Sequence, residues 1–343
     1  MDVSVIVRSK DEADRLRLTL ASLSAQTTPA EVIVVNDGSA DHTDEVLSQA
    51  RSQLPLIRVD NPARTGRSAA SNAGAAIASG ELLIFLDGDV LVHPHFVQRH
   101  LELHQGNGGC VGRGETWHLR QTRHFRDPAR GTPMPGEEAR VAGMSGRELL
   151  ASRITAAAVV EDFAAIEARA QPAIYPGGGP RRLYDLEMQA LREEPSCPTL
   201  WAAASGHNLS IPREAFRAVG GFDPALDINE HRELALRLCT RGLRMAAACA
   251  RSYHLTHRRG WRDPLDDQAW MARFHAVHPF AEVALLPVLW SSISDAASIP
   301  QAARITSLPA LAAAAARLPP GLTPELALET HLRLASLPEP EPA

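Results

Sequence analysis

The sequence predicts an α/β protein with a doubly wound, mostly parallel β-sheet, a helical insertion and a helical C-terminal extension. In the first hundred residues, short apolar segments rich in Val, Ile and Leu alternate with segments whose apolar residues recur at helical spacing. Repeated strand–helix–strand units of this kind build parallel sheets. From residue 113 the alternation stops, and from residue 264 the chain is rich in Ala, Leu and Pro.

Short apolar runs, which suit strands buried on both faces, predict four strands at 3–7, 31–35, 56–59 and 82–86. The first helix opens near Asp11, a second follows the turn-forming residues 36–39, and a third with many small residues spans 68–78. Ligands of parallel sheets bind at the carboxyl ends of the strands. The polar residues that directly follow these strands are therefore the candidate site residues.

The chain is expected to divide into four segments, and the first, residues 1–112, contains the alternating strands and helices just described. Residues 113–198 contain clusters of Pro and Gly around an Ala-rich stretch at 146–170, which predicts a mostly helical insertion with one long helix. Residues 199–263 return to the α/β pattern, with helices predicted at 213–219 and 229–241. Residues 264–343 are expected to form a helical extension.

Composition excludes several classes of protein. A net charge of −5 provides no basic surface for nucleic acid. The four cysteines have no paired spacing, so a disulfide framework or a zinc knuckle is not expected. We see no signal peptide, and the longest apolar run, 281–290, is too short to span a bilayer. We therefore expect a cytoplasmic protein without a nucleic-acid partner or a transmembrane segment.

Two carboxylates, Asp87 and Asp89, follow the fourth predicted strand with Gly88 between them. Carboxylates two residues apart can hold Mg²⁺ or Mn²⁺, since these ions prefer oxygen ligands and neutralise charge on a diphosphate. The glycine lets the backbone approach phosphates closely. An isolated pair of this type is commonly a solvated turn, but its position at a strand end favours a metal site.

Asp37 follows the second predicted strand within a tight turn. Its carboxylate could accept a hydrogen bond from the imide N–H of a uracil ring. The alternative is an Asx-turn or a cap for the next helix. The motif alone supports both interpretations equally.

In their order along the chain, these motifs resemble family-2 glycosyltransferases of the GT-A fold. The resemblance covers about half of the chain and rests on VIV (5–7), NDGS (36–39), NAG (72–74), ASG (78–80), FLDGD (85–89), SGHNLS (205–210), REAF (213–216) and VGGFD (219–223). It implies an inverting, metal-dependent glycosyltransferase of the hexosyltransferase type. The donor would be a nucleotide-sugar, with uridine as its nucleoside, and the acceptor, whether small molecule, glycan, lipid or peptide, is not identified.

On the donor side, the resemblance assigns the nucleobase to Asp37 and the nucleoside pocket to Ser9 and Asp11. It places Asp87 near the ribose or the metal, and it makes Asp89 a direct metal ligand.

The late histidine His257 resembles the residue that completes the metal site in many GT-A enzymes, and a neutral imidazole suits Mn²⁺. His254 is the competing candidate. Arg258, Arg259 and Arg262 could close over the diphosphate, although a solvated run of charges is the simpler expectation.

Two positions depart from the family pattern. Where the family has its acidic pair, this chain has Glu230 and His231, so either one would act as the general base. Alternatively, Glu230 only favours the helix N-terminus electrostatically. Relatives often carry an arginine where this chain has Ser71, and Arg67, one turn earlier, could contact the pyrophosphate instead.

Two rival functions follow from the same patterns. The first is a catalytically silent relative that binds a nucleotide or a partner, supported mainly by His231 at the base position. The second is a sugar nucleotidyltransferase, which would need a Gly-rich basic loop after the first strand, and residues 8–12 do not form one. The chain also lacks the glycine motifs of dinucleotide-binding and P-loop enzymes.

Overall fold

The computed structural model describes residues 1–107, 109–174, 182–257, 262–294 and 299–336. Nine strands among these residues form one sheet, and two more form a separate hairpin. The strands are β1 (Val3–Ser9), β2 (Glu31–Asp37), β3 (Leu56–Asn61), β4 (Leu82–Asp87), β5 (Val90–Val92), β6 (Cys110–His118), β7 (Phe125–Asp127), β8 (Thr132–Pro133), β9 (Gln171–Pro172), β10 (Leu209–Pro212) and β11 (Arg244–His254).

The strand order in the large sheet is β3-β2-β1-β4-β10-β6-β11-β5, with β9 paired to β6. Strands β3, β2, β1 and β4 are parallel, and β10 runs antiparallel to both β4 and β6. Beyond β10, β6 and β11 are again parallel, and β5 pairs antiparallel with β11. The predicted mixed α/β architecture with a mainly parallel sheet is confirmed.

Sixteen α-helices lie in the described part of the chain. They are α1 (Ala13–Ser24), α2 (Thr43–Ala50), α3 (Arg67–Ile77), α4 (Phe96–Asn107), α5 (Glu138–Ala142), α6 (Gly146–Ser152), α7 (Ala156–Glu161), α8 (Phe163–Glu167), α9 (Leu183–Glu193), α10 (Arg213–Ala218), α11 (Glu230–Thr240), α12 (Ala269–Val277), α13 (Ala281–Ala284), α14 (Leu286–Ser292), α15 (Leu308–Ala316) and α16 (Pro324–Ala335).

Side chains of the central strands alternate between two hydrophobic cores, as the pleat of a strand requires. Val5 and Val7 pack into a core shared with α1, α2 and α4, whereas Ile6 packs into the core on the other face, which includes α3. Helices therefore cover both faces of the sheet, which explains the apolar runs within the central strands β1, β2 and β4, whereas the edge strand β3 carries three polar residues.

The predicted long helix at 146–170 is wrong, because three short helices, α6, α7 and α8, occupy this stretch. Arg153, after α6, has extended backbone with ψ of 149°. The side chains of Thr155 and Asp162 then accept hydrogen bonds from Ala158 N and Ala165 N, so they cap α7 and α8. Ser, Thr and Asp caps of this kind start new helices and compete with a continuous one.

The sheet and the C-terminal helices share one large core that contains Trp201, Trp270, Phe274 and Trp290. Strand β6 runs across the expected start of the insertion at residue 113, so the sheet continues to His118. The division into four segments stays a prediction. Within the described residues, every helix falls short of the length and apolarity that crossing a bilayer would require.

Candidate active site

A cavity of about 870 Å³ lies at the carboxyl ends of the parallel strands. Strands β1, β2 and β4 end at Ser9, Asp37 and Asp87, and because they are parallel neighbours these ends meet at one edge of the sheet. The cavity is lined by seven of the residues predicted from the sequence, namely Ser9, Asp11, Asp37, Arg67, Asp87, Asp89 and His257.

Asp37 is held by the loop that precedes α3. Its Oδ1 accepts hydrogen bonds from Asn61 Nδ2 at 2.9 Å, Thr65 N at 2.8 Å and Thr65 Oγ1 at 2.7 Å. Its Oδ2 accepts one from Gly66 N at 3.0 Å. Burial would raise the pKa of Asp37, but these bonds, with Thr65 foremost, hold it below its usual range. Asp37 thus anchors a turn, while Oδ2 keeps capacity for a further donor, and the nucleobase role stays a prediction.

Asp11 joins the ends of β1 and β2. Its backbone is in the left-handed region, with φ of 53°. Its Oδ1 accepts a hydrogen bond from Ala40 N at 2.7 Å, and this bond is the main cause that lowers the pKa of Asp11. Its own N–H donates to Ser39 Oγ at 3.0 Å. Ser9 is buried beside it, and the nucleoside roles of Ser9 and Asp11 stay predictions.

Asp89 forms a compact group with His254 and His257. The carboxylate Oδ2 lies 3.1 Å from His254 Nε2 and 2.8 Å from His257 Nε2. One carboxylate oxygen and two imidazole nitrogens lie within 4.8 Å of one another, close enough to bind a single metal ion. Burial would raise the pKa of Asp89, but the two imidazoles, His254 foremost, hold it well below its usual range.

The pairing of β5 with β11 brings the three residues of this group together. The antiparallel pairing of β5 with β11 sets His254 opposite Val90, next to Asp89 in the sequence. Leu255 N then donates to Asp89 O at 2.9 Å, which brings the following His257 back onto the carboxylate. The sequence left His254 and His257 as competitors, whereas in the structure both contact Asp89.

Asp87 lies outside this group. Its Oδ1 accepts a 2.6 Å hydrogen bond from Arg8 Nε, and Arg8 Nη1 donates to Glu230 Oε1 at 3.0 Å. Burial would lower the pKa of Arg8, but Asp87 and Glu230 outweigh it and raise that pKa. Gly88 packs closely, since a Cβ there would lie 2.5 Å from Glu12 Oε1. Metal, ribose and phosphate roles for Asp87 and Gly88 stay predictions.

Glu230 and His231 begin α11 behind Arg8, and neither lines the cavity directly. Glu230 is 1% exposed, and its Oε2 lies 3.6 Å from His231 Nδ1, beyond hydrogen-bond distance. Burial would raise the pKa of Glu230, but His231 and Arg8 hold it well below its usual range. Burial lowers the pKa of His231. At neutral pH the pair is therefore a carboxylate beside a neutral imidazole.

Arg67 begins α3 and faces the cavity, and its backbone N–H donates to Asp227 Oδ1 at 2.9 Å. Arg262 Nη2 donates to Asp227 Oδ2 at 2.7 Å, so this arginine is already paired to a carboxylate. Arg258 and Arg259 lie outside the described residues. The pyrophosphate role of Arg67 stays a prediction.

Several residues near this site carry no clear signal in the sequence. Arg8 had one signal, a charge at the end of a buried strand, and Glu12 had none. Burial, with Asp89 and Asp87 close by, raises the pKa of Glu12 well above its usual range. His118 and His207 were also missed, and their rings lie 5.3 and 6.4 Å from that of His254. They come from separate segments, so spacing along the chain could not reveal them.

The geometry can be compared with known proteins. The family model described as "Glycosyl transferase family 2" matches residues 4–126. The uncharacterized glycosyltransferase alr2836 from Nostoc sp. is 38% identical over 107 residues, which are 31% of this chain and 33% of the relative. The chain thus spans about a third of the length of this curated relative.

Two solved structures share the fold at low sequence identity. The mannosyltransferase PcManGT from Pyrobaculum calidifontis, in complex with GDP-Man and Mn²⁺, has a TM-score of 0.52 and 18% identity, covering 97% of this chain and 80% of its own. S. aureus TarS 1-349 in complex with UDP-GlcNAc has a TM-score of 0.52 and 15% identity, covering 85% and 70%. Both support the GT-A fold expected from the sequence. Residues 4–126 are therefore similar in sequence to glycosyl transferase family 2.

Proposed function

We propose that this protein is a metal-dependent, inverting glycosyltransferase that moves a sugar from a nucleotide-sugar, carried on uridine diphosphate, to a hydroxyl of an acceptor whose class is open. One observation carries the proposal. Asp89 and His257, two members of the compact carboxylate–imidazole group, line the same cavity as Asp37. A cation and a nucleoside diphosphate can therefore occupy one site.

The group of Asp89, His254 and His257 fits a divalent cation. One buried carboxylate and two imidazoles suit Mn²⁺, and Mg²⁺ would be held less well because it prefers oxygen ligands. A bound cation would neutralise negative charge on the diphosphate as it leaves. The neighbouring structure from P. calidifontis contains Mn²⁺ with its donor, which supports the same type of cofactor.

For the nucleobase we propose Asp37. Its Oδ2 accepts a single hydrogen bond, from Gly66 N, and a carboxylate oxygen can accept a second. An imide N–H would supply that donor. Ser9 and Asp11 would line the nucleoside pocket, and Arg67 at the start of α3 would contact the pyrophosphate. The TarS structure contains UDP-GlcNAc and the PcManGT structure contains GDP-Man, so the nucleobase of the donor must be identified by experiment.

As general base we propose Glu230. Its Oε1 is engaged by Arg8, whereas its Oε2 has no hydrogen-bond partner and is ionised at neutral pH. The attacking hydroxyl oxygen would form a bond to the anomeric carbon as the bond from that carbon to the diphosphate oxygen breaks. The hydroxyl proton would pass to Glu230, and the configuration at carbon would invert. Because Glu230 is buried, the acceptor must reach it from the side of Arg8.

The test is a calorimetric and hydrolytic screen of UDP-, GDP- and dTDP-sugars with Mn²⁺, with Mg²⁺ and with a chelator. We expect cation-dependent binding of one nucleotide and slow release of its sugar, both lost in Asp89→Ala. Binding without any turnover would identify the silent relative. Pyrophosphate release from a nucleoside triphosphate and a sugar phosphate would identify the nucleotidyltransferase.

The expected cytoplasmic location belongs to the same proposal and is supported by four free cysteines.

A further inference from the structure

A buried ion-pair cluster links the segment after residue 181 to the helix that begins with Glu230. Glu187 on α9 is 0% exposed, and its two carboxylate oxygens bind two different arginines. Glu187 Oε2 accepts from Arg113 Nη2 at 2.8 Å, and Oε1 accepts from Arg232 Nη2 at 2.9 Å. Both guanidiniums are buried as well. Ion pairs that are desolvated in this way are costly to build, so their geometry calls for an explanation beyond stability.

Arg232 uses its other N–H groups to hold the start of α11. Its Nη1 donates to Asn229 Oδ1 at 2.9 Å and lies 3.0 Å from His231 Nε2, and its Nε donates to Ala202 O at 2.8 Å. Arginine has only donors. His231 Nε2 must therefore be the acceptor, and a neutral His231 must carry its proton on Nδ1.

That proton faces the proposed base. His231 Nδ1 lies 3.6 Å from Glu230 Oε2, and both atoms are buried without a hydrogen-bond partner. Gly206 lies close to the pair, because a Cβ there would lie 3.1 Å from both His231 Nδ1 and Arg8 Nη2 and 3.4 Å from Glu230 Oε1. A donor and an acceptor thus lie side by side, and the glycine keeps side-chain atoms away from His231 Nδ1.

We propose that Glu187 and Arg232 are positioning residues that hold His231 in the Nδ1–H tautomer. In this tautomer His231 donates a hydrogen bond to the attacking hydroxyl, and Glu230 accepts the proton of that hydroxyl. This inference rests on the proposed function and identifies which member of the pair is the base. The hydroxyl oxygen accepts a hydrogen bond from His231 Nδ1–H while its own proton moves to Glu230 Oε2. His231 neither gains nor loses a proton, and the new C–O bond forms as the diphosphate leaves.

The tautomer can be measured directly on the full chain, without donor, acceptor or cation. Long-range ¹H–¹⁵N correlation spectra of protein labelled with ¹⁵N-histidine distinguish protonated from unprotonated ring nitrogens, and His231→Gln identifies the signals of His231. At neutral pH we expect Nδ1 protonated and Nε2 unprotonated. An Nε2–H tautomer in the wild type would overturn the proposal, and this measurement needs no variant that might misfold.

Two matched variants separate positioning from general stability. Arg232→Met and Arg113→Met each remove one arginine from Glu187, but only Arg232 contacts His231. We expect Arg232→Met to lose the fixed tautomer and Arg113→Met to keep it. A change in both variants, or in neither, would contradict the specific role of Arg232.

Turnover provides a second measurement once a donor is known. We expect Arg232→Met to lower kcat about 10- to 100-fold with the donor KM within about threefold, because misplacement of a reacting group reduces the chemical step. If no nucleotide binds, the proposed function fails while the tautomer result stands. If a nucleotide binds and the tautomer is wrong, only the positioning role fails.

Discussion

The substitution Asp89→Asn is the sharpest test of the proposed cation site. It preserves the size of the side chain and removes the only negative charge among the three candidate ligands, since His254 and His257 are imidazoles. In the wild type, one carboxylate oxygen faces both Nε2 atoms, at 3.1 and 2.8 Å. A neutral amide cannot attract a divalent cation in the same way.

The size of the effect can be bounded from below. Loss of an outer partner of a metal ligand already costs about 10- to 100-fold in metal affinity. Asp89 is proposed as a ligand itself, so we expect a loss of about 100-fold or more in Mn²⁺ affinity. Each factor of ten corresponds to about 1.4 kcal/mol, which gives about 2.8 kcal/mol of binding free energy.

The assay is a calorimetric titration of Mn²⁺ with and without UDP, repeated with GDP. Asp60→Asn is the matched control, because Asp60 is an exposed carboxylate paired to Arg58 and lies outside the group. We expect that control to change Mn²⁺ affinity by less than about threefold. Asp87→Asn tests in the same assay whether the predicted metal role of Asp87 holds. Equal losses in Asp89→Asn and Asp87→Asn would make both carboxylates ligands. An Asp89→Asn protein whose Mn²⁺ affinity stays within about threefold of wild type would refute the cation site.

Three further predictions follow. In Gly206→Ala the new Cβ would lie 3.1 Å from Arg8 Nη2 and His231 Nδ1, so we expect turnover to fall about 10- to 100-fold with nucleotide affinity unchanged, and wild-type turnover would contradict this. Burial lowers the pKa of His104 to about 4, so below about pH 6.5 the unfolded state binds more protons and stability falls by about 1.4 kcal/mol per pH unit. Urea unfolding of His104→Gln between pH 6 and 4.5 should therefore show a slope about that much shallower than wild type, and equal slopes would count against it. Arg15→Met should lower the free energy of unfolding by about 3 kcal/mol, because buried Arg15 donates to the carbonyls of Phe125, Leu255 and Thr256. The control is Arg99→Met, which replaces an exposed arginine and should change that free energy by under about 0.5 kcal/mol.

Local pattern was a good guide to the first four strands and a poor one elsewhere. Strands β1, β2 and β4 contain apolar runs because helices cover both faces of the sheet there. Strand β11 carries alanines at 246–248 and at 250, residues that favour helix when isolated. It is a strand because its residues 244–247 and 251–254 pair with β6 and its last three residues also pair with β5. The prediction of one long helix at 146–170 was wrong because local signals interrupt it. Capping residues inside the stretch divide the predicted helix into three.

The candidate site shows the same limit. Carboxylates at strand ends could be predicted to share one edge of the sheet, and Asp37, Asp87 and Asp89 do line one cavity. That both histidines contact Asp89 could not be predicted, because His254 reaches Asp89 through the pairing of β11 with β5.

The sequence by itself determined the α/β class, the edge of the sheet at which the acidic residues emerge, and the similarity of residues 4–126 to a glycosyltransferase family. These properties depend on short apolar runs and on residues that directly follow them, so neighbours along the chain suffice. Only the tertiary structure decided that Arg8 bridges Asp87 and Glu230, which are 79 and 222 residues away from it, and that Glu187 and Arg232 meet. Such contacts join side chains from distant segments. They form because a charge that is buried away from water is costly unless an opposite charge pairs with it.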